Sequence, residues 1–316
     1  MITLYTLQGK SLVRQQVKDG ETSLPMDVIW VDLLKPTTEE KNLVSKAYHQ
    51  QLPSEQDILE IEASSRFFLD DNGLHLRSYF LFQFPDRYEN ITVAFILNQG
   101  RIFTLRNERL ETIHIFKQMV AAGTIKITDH FDLLFSLFEI KVDRLADKLE
   151  LIYSEIEKIS RDVYDGDNRN LEKIILRLGS LQETNDKIRH GLLDMQRLFS
   201  FLTRTGYNLR KNSKIMERLI QDIESLIQHS NFLLTKSDSL LNVTIGLINS
   251  EQNKVIKIFS IISVVFLPPT LVASIYGMNF EIMPELHWHL GYPYSLGFIL
   301  VSAITPYLLF RYKGWL

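Results

Sequence analysis

The stretch IKIFSIISVVFLPPTLVASIYGMNFEIMPEL, residues 256–286, decides how this chain is built. Residues 258–280 contain no charged side chain, and a second uncharged run covers residues 290–310. At about 1.5 Å per residue, helices through these runs reach roughly 35 and 32 Å, against a hydrocarbon core of about 30 Å. A pair of such runs reads as two membrane-spanning helices. The basic residues set their orientation. Lys254 and Lys257 precede the first run, Arg311 and Lys313 follow the second, and the intervening EIMPELHWHL has no Lys or Arg. By the positive-inside rule, both termini are expected in the cytoplasm and the loop outside.

The mean hydropathy of −0.03 is that of a soluble protein, so the apolar residues are segregated rather than spread. The net charge of −3 over 316 residues gives no basic surplus for nucleic acid. The chain has no cysteine, which excludes thiol catalysis, disulfides and Cys-based zinc sites. MITLYTLQGKSLVRQQ lacks an apolar core, so no cleavable signal peptide is expected there.

The first part of the chain reads as mixed strand and helix. DVIWVDLL (27–34) is a buried strand, and Thr37 and Glu40 stand at capping-box spacing for a helix. RFFLDDNGLHLRSYFLFQF (66–84) reads as strand, turn and strand around Asp70-Asp71-Asn72-Gly73. Those acids lack the spacing of a calcium-binding EF-hand loop. ITVAFILNQGRIFTLRN (91–107) is a second hairpin turning at Asn98-Gln99-Gly100, and a helix over 110–122 ends at Gly123.

From residue 129 the pattern changes to steps of three and four. One seam runs from Phe131 through Phe138, Leu145 and Ile152 to Ile159, and a second from Leu171 through Leu178 and Leu192 to Leu202. DGDN (165–168) separates them, predicting a long antiparallel helical hairpin. After RTGYN (204–208) a third helix begins near Asn212 and carries Met216, Leu219, Ile223, Leu226, Leu233, Leu240 and Leu247. Nothing separates it from the first membrane run. The expected division is a cytosolic mixed α/β domain (1–128), a hairpin (129–207) and a stalk helix (208–257). Then come the first span (258–277), an external loop (278–290), the second span (291–310) and a basic tail (311–316).

Two spans cannot enclose a water-filled path alone, so transport requires several copies about an axis. Asn253, Ile256, Ser260, Ser263, Leu267, Thr270 and Ser274 follow one another in steps of three and four, forming one polar but uncharged helical stripe. Packing between helices is the plainer role for such hydroxyls. As a pore lining, the stripe would have Leu267 and Ile256 as apolar constrictions, with Pro268-Pro269 loosening the helix at mid-membrane. A lining of neutral oxygens suits a hydrated divalent cation, and Mg²⁺ gives up its water reluctantly. Gly277 permits a turn or close approach, Asn279 supplies carbonyl oxygens, and Glu281 and Glu285 concentrate cations outside.

The stretch from Ile256 through Tyr276-Gly277-Met278-Asn279 to MPEL closely resembles the CorA magnesium transporters of bacteria, whose signature is Gly-Met-Asn after the first of two C-terminal spans. The resemblance extends over the whole chain. It implies an α+β membrane protein assembled as a homopentameric funnel in the inner membrane. It implies a channel-like importer of Mg²⁺, also admitting Co²⁺ and Ni²⁺, driven by membrane potential, gated by internal Mg²⁺ and needing no organic cofactor. Asn279 would form the outer ring, and Asn253, Leu267, Thr270 and Ser274 fall on pore-lining positions of relatives. Lys254, Lys257, Arg311 and Lys313 match a basic collar, and the second span faces lipid. The family's acidic sensing position on the stalk is Arg218 here, leaving Glu217 or Asp222, with Asp86 or Glu89, as the substitutes. Two alternatives stand beside this reading. A zinc transporter of the ZntB-like branch would use His287 and His289, and a membrane-tethered sensor would tolerate substitutions along the stripe.

Overall fold

The computed structural model describes residues 1–9, 11–17, 24–59, 66–165, 170–205, 213–279, 281 and 283–314. The breaks expected at 166–168 and 206–208 lie outside the described residues, although the helices on either side of them are described. The chain divides into two compact units, Met1–Leu241 and Asn242–Leu316.

The first unit is built on a seven-stranded sheet. Its strands are β1 (Ile2–Gln8), β2 (Ser11–Gln16), β3 (Val28–Leu34), β4 (Phe67–Asp70), β5 (Gly73–Gln83), β6 (Tyr88–Asn98) and β7 (Arg101–Arg106). They lie in the order β2-β1-β3-β7-β6-β5-β4. Only β3 and β7 pair in parallel, with Asp32 opposite Thr104. Every residue of β3 is buried, as expected of a strand covered on both faces. The expected hairpins are present. Gln99 (φ 46°) and Gly100 (φ 77°) make the β6–β7 turn, both in the left-handed region that closes a two-residue hairpin. Gly73 sits at φ +117°, and a Cβ there would lie 2.3 Å from the Leu97 carbonyl oxygen. Missing from the sequence reading were β1 and β2, which pair antiparallel from Thr3↔Gln16 to Gln8↔Ser11. Arg14, Gln15 and Gln16 on the edge strand blur its alternation.

One face of the sheet is covered by α1 (Thr38–Tyr48) and α2 (Glu55–Leu59), which enclose Leu4, Val31, Leu33, Val44, Ile96 and Phe103. The predicted capping box opens α1: Thr37 Oγ accepts from the Glu40 N–H, and Glu40 accepts from the Thr37 N–H at 2.9 Å. Such a cap contributes about 1 kcal/mol. On the opposite face lie α3 (Glu111–Ala121), α4 (His130–Asp165) and α5 (Leu171–Thr205). The Phe138 ring of α4 sits 5.7 Å from Phe95 of β6 and 5.5 Å from Phe199 of α5, joining sheet to hairpin in one core. The first predicted seam is buried throughout, from Phe131 to Ile159.

Two buried polar clusters hold the elements on this face in register. Asp32 accepts from Arg106 (2.9 Å), Lys117 (2.7 Å) and Thr104 (2.8 Å). Burial pushes its carboxyl up, but the bonds to Arg106 and Lys117 outweigh burial and hold it below the usual range. Asp194 of α5 accepts from Arg66 (2.8 Å), Ser78 (3.2 Å) and the Tyr79 N–H (3.1 Å). Lys141 of α4 donates to Ser78 at 2.9 Å and lies 4.3 Å from the Phe80 ring centre. Burial brings its ammonium down to about 7.

The helix α6 (Ser213–Tyr276) is continuous over 64 residues and runs through both prolines. Within the first unit its buried residues are Met216, Leu219, Ile223, Ser230, Leu233, Ser237 and Leu240. The heptad seam is therefore polar at two of its positions. Ser230 and Asn185 of α5 bond twice, through Ser230 Oγ to Asn185 Oδ1 and Asn185 Nδ2 to the Ser230 carbonyl, each at 3.0 Å. Lys236 reaches across to Glu157 of α4.

In the second unit, α6 ends at Tyr276. A short 3-10 turn (Pro284–His287) precedes α7 (Gly291–Tyr312). Both apolar helices are long enough to cross a membrane, and the apolar stretch of α7 has no buried residue.

Candidate functional site

The sequence stripe can be examined on α6 directly. Asn253, Ile256, Ser260, Ser263, Leu267, Thr270 and Ser274 are all exposed. On the same helix Ile261, Val265, Pro268, Val272 and Tyr276 are half-buried or buried. At about 100° per residue, these two sets lie on roughly opposite faces of the helix. On α7, the half-buried residues Gly291, Ser295, Ile299, Ser302, Pro306 and Phe310 recur in steps of three and four, again one face. Within the second unit one face of each span is partly covered, and the polar stripe is exposed together with apolar residues such as Phe259, Phe266 and Leu271.

Two hydroxyls of that stripe are bonded in a particular sense. Ser263 Oγ donates to the Phe259 carbonyl at 2.9 Å, and Thr270 Oγ1 donates to the Phe266 carbonyl at 2.7 Å. Their hydrogens are thus directed into the helix, and their lone pairs remain as acceptors toward the outside. Pro268 and Pro269 have no N–H, so the carbonyls of Val264 and Val265 lose their usual helical donors. A row of acceptors without charge can bind the outward-pointing hydrogens of a cation's hydration water. It gives the bare ion no carboxylate to lodge on.

At the end of the helix, the Gly277 N–H bonds to the Ala273 carbonyl at 3.0 Å and the Met278 N–H to the Ile275 carbonyl at 3.3 Å. Gly277 lies in the turn that ends the helix. It is absent from the positive-φ glycines, and a Cβ would lie 3.2 Å from the Ala273 oxygen. Met278, Asn279, Glu281 and Glu285 are exposed beyond it. Gly291 closes the loop against the 3-10 turn, where a Cβ would meet the Glu285 carbonyl oxygen at 2.3 Å. His287 and His289 are also exposed. Among the described residues, no three His, Asp or Glu side chains converge as a metal-holding group. Lys254 and Lys257 are exposed before the first apolar run, as are Arg311 and Lys313 after the second.

The four acids considered for sensing do not come together within the chain. Asp86 and Glu89 flank Arg87 and pair with it, at 3.9 and 2.7 Å. Asp222 instead stands near Asp143 and Glu139 of α4, with Arg218 close to Glu139. Burial raises the Glu139 carboxyl, with Arg218 opposing the rise and Asp143 and Asp222 adding to it. Burial likewise raises Asp143, reinforced by Asp147 and Asp222. The sequence reading missed this acidic row. The spacing of four from Glu139 to Asp143 to Asp147, on the face that meets the stalk, was the available signal.

The comparisons with known proteins bear on the whole chain. The family model described as CorA-like Mg²⁺ transporter protein matches residues 26–312. This chain belongs to that family. A CorA relative, the magnesium transport protein CorA of Salmonella typhimurium, is 39% identical over 318 residues, covering 100% of each chain. Among solved structures, the CorA magnesium transporter of Methanocaldococcus jannaschii aligns with TM-score 0.79 at 17% identity, covering 100% of this chain and 99% of that one. The ZntB cytoplasmic domain of Vibrio parahaemolyticus aligns with TM-score 0.57 at 12% identity over 78% of this chain, a likeness of fold alone. The CorA match spans the soluble α/β unit, the long helix and both apolar helices.

Proposed function

We propose that this chain moves Mg²⁺ across the cytoplasmic membrane as a channel-like importer, with five copies surrounding the path. The observation that carries the proposal is the bare face of α6. A membrane-length helix that leaves uncovered an uncharged row of Asn, Ser and Thr, interrupted only by Ile256 and Leu267, is complete when copies turn that row toward a shared axis. The full-length match to magnesium transport proteins supports Mg²⁺ as the ion.

In this reading the division into α/β domain, hairpin, stalk, two spans, loop and tail holds as first set out, with both termini inside. Hydrated Mg²⁺ is drawn to the outer mouth by Glu281 and Glu285 and meets a ring of Asn279 carbonyl oxygens shaped by Gly277 and Met278. It then passes Ser274, Thr270, Ser263 and Ser260, whose lone pairs take up hydrogen bonds from its waters. Leu267 and Ile256 narrow the path without charge and close it by excluding water. Asn253 lines the inner end, within the basic surroundings of Lys254, Lys257, Arg311 and Lys313. Inward-negative potential drives the ion, each unit charge gaining about 2.3 kcal/mol per 100 mV. No organic cofactor takes part. Co²⁺ and Ni²⁺, with similar hydration, follow the same route. Internal Mg²⁺ closes the pore by binding between neighbouring copies, where Asp86, Glu89, Glu217 and Asp222 are the carboxylates available.

The test is flux in liposomes. Purified protein should admit Mg²⁺ down an electrical gradient, and Asn279→Ala should abolish the flux. Undiminished flux in that variant would sink the proposed mouth. A panel of Mg²⁺, Co²⁺, Ni²⁺ and Zn²⁺, with and without a proton gradient, separates this reading from zinc transport.

A further inference from the structure

A cavity of about 380 Å³ opens where α3 leaves the edge of the sheet uncovered. One wall is a cross-strand row. Arg14 of β2 pairs with Tyr5 of β1, which pairs with Trp30 of β3, and directly paired residues present their side chains on the same sheet face. Tyr5 and Trp30 stack at 4.5 Å as the buried floor, and Arg14 stands exposed at the edge. The other wall is one stripe of α3, in which His114, Lys117, Gln118 and Ala121 follow in helical spacing and Gln118 contacts His114 at 3.0 Å. Leu12 and Val120 add apolar surface.

The charges around this cavity do not balance. Asp32 is the one carboxylate in the cluster, and Arg106 and Lys117 both bond to it. Arg14 acts on Tyr5 and Lys117 as a third nearby cation. Among the described residues, three cations on one carboxylate leave an excess of two positive charges, and no residue lining the cavity is acidic. Among the described residues, Arg14 makes no ion pair. Burial lowers the Lys117 ammonium, Asp32 opposes that, and Arg106 and Arg14 push it further down.

We propose that this cavity binds a small organic phosphate monoester. A phosphate monoester carries between one and two negative charges near neutral pH and offers three acceptor oxygens, matching the excess charge and the forked donors of a guanidinium. A carboxylate would neutralise only half of it. The cavity falls in the range of about 300–1,000 Å³ typical of small-molecule sites, and Leu12, Val120 and Ala121 provide apolar contact for a ring-sized body. The site lies in the first unit, apart from the proposed ion path.

Calorimetry on the full-length protein in detergent, without Mg²⁺, tests it with adenosine monophosphate, inorganic phosphate and adenosine as probes. Adenosine monophosphate should bind saturably, inorganic phosphate about tenfold more weakly, and adenosine not measurably. Arg14→Ala, an exposed position that leaves the fold and the basal Mg²⁺ flux intact, should weaken the nucleotide by about tenfold or more. Absence of saturable nucleotide binding, or equal binding by Arg14→Ala, would overturn the site. Inorganic phosphate binding as tightly as the nucleotide would overturn the organic body.

Discussion

The helix α6 behaves in two ways along its length. Through the first unit it is buried at Met216, Leu219, Ile223, Leu233 and Leu240, and α5 and α4 reach it through Asn185 and Glu157. From Asn253 to Ser274 the stripe residues are bare, with Ile256 61% and Leu267 66% exposed. In water such exposure would be unstable, and in a bilayer a lipid-facing helix does not need a polar row. The buried half finds its partners in its own chain, whereas for the bare half the proposed path supplies lipid on one side and further copies on the other.

The largest effect expected from this contrast is a block. Ser263→Phe places a ring on the stripe and should stop Mg²⁺ flux, whereas Ile262→Phe, one residue away on a different face, should leave it near the unsubstituted rate. Equal loss in both, measured in the same liposomes, would break the distinction between faces. In the first unit the effect should appear in stability instead. Phe138→Ala removes the ring that joins Phe80, Phe95 and Phe199, and should cost about 3–5 kcal/mol, read from denaturant unfolding followed through Trp30.

A smaller effect concerns Lys141. Its folded-state value of about 7 lies below the ordinary 10.5, so the unfolded chain binds a proton that the folded chain refuses between those limits. Stability should therefore rise with pH from about 7 to about 10.5, and the burial penalty is fully present below that window. Lys141→Met should flatten this rise. A midpoint that changes with pH identically in both proteins would show that the ammonium is not strained by burial.

The same two halves explain how much could be read from sequence. The spans, the stripe and Gly-Met-Asn were legible because a membrane demands long uncharged runs, and one face of a helix leaves a period of three and four. The hairpin seams were legible for the same reason. Ser230 and Ser237 were not, since a search for apolar residues passes over small polar side chains at heptad positions. They became visible only when Asn185 was brought opposite Ser230. The β1–β2 hairpin was hidden by its polar edge strand, and the acidic row at Glu139 and Asp143 by the distance along the chain to Asp222. Contacts between distant elements, such as Asp32 with Arg106 and Lys117, have no local pattern that announces them.

Because the chain contains no cysteine, single cysteines can be introduced along α6 without background labelling. Scanning residues 253–276 with a water-soluble thiol reagent in the reconstituted protein, while Mg²⁺ flux is recorded, tests the central claim most directly. Modification should inhibit at 256, 260, 263, 267, 270 and 274 and not at 261, 265, 268 or 272. Inhibition on the second set, or on neither, would contradict a path lined by the bare face of this helix.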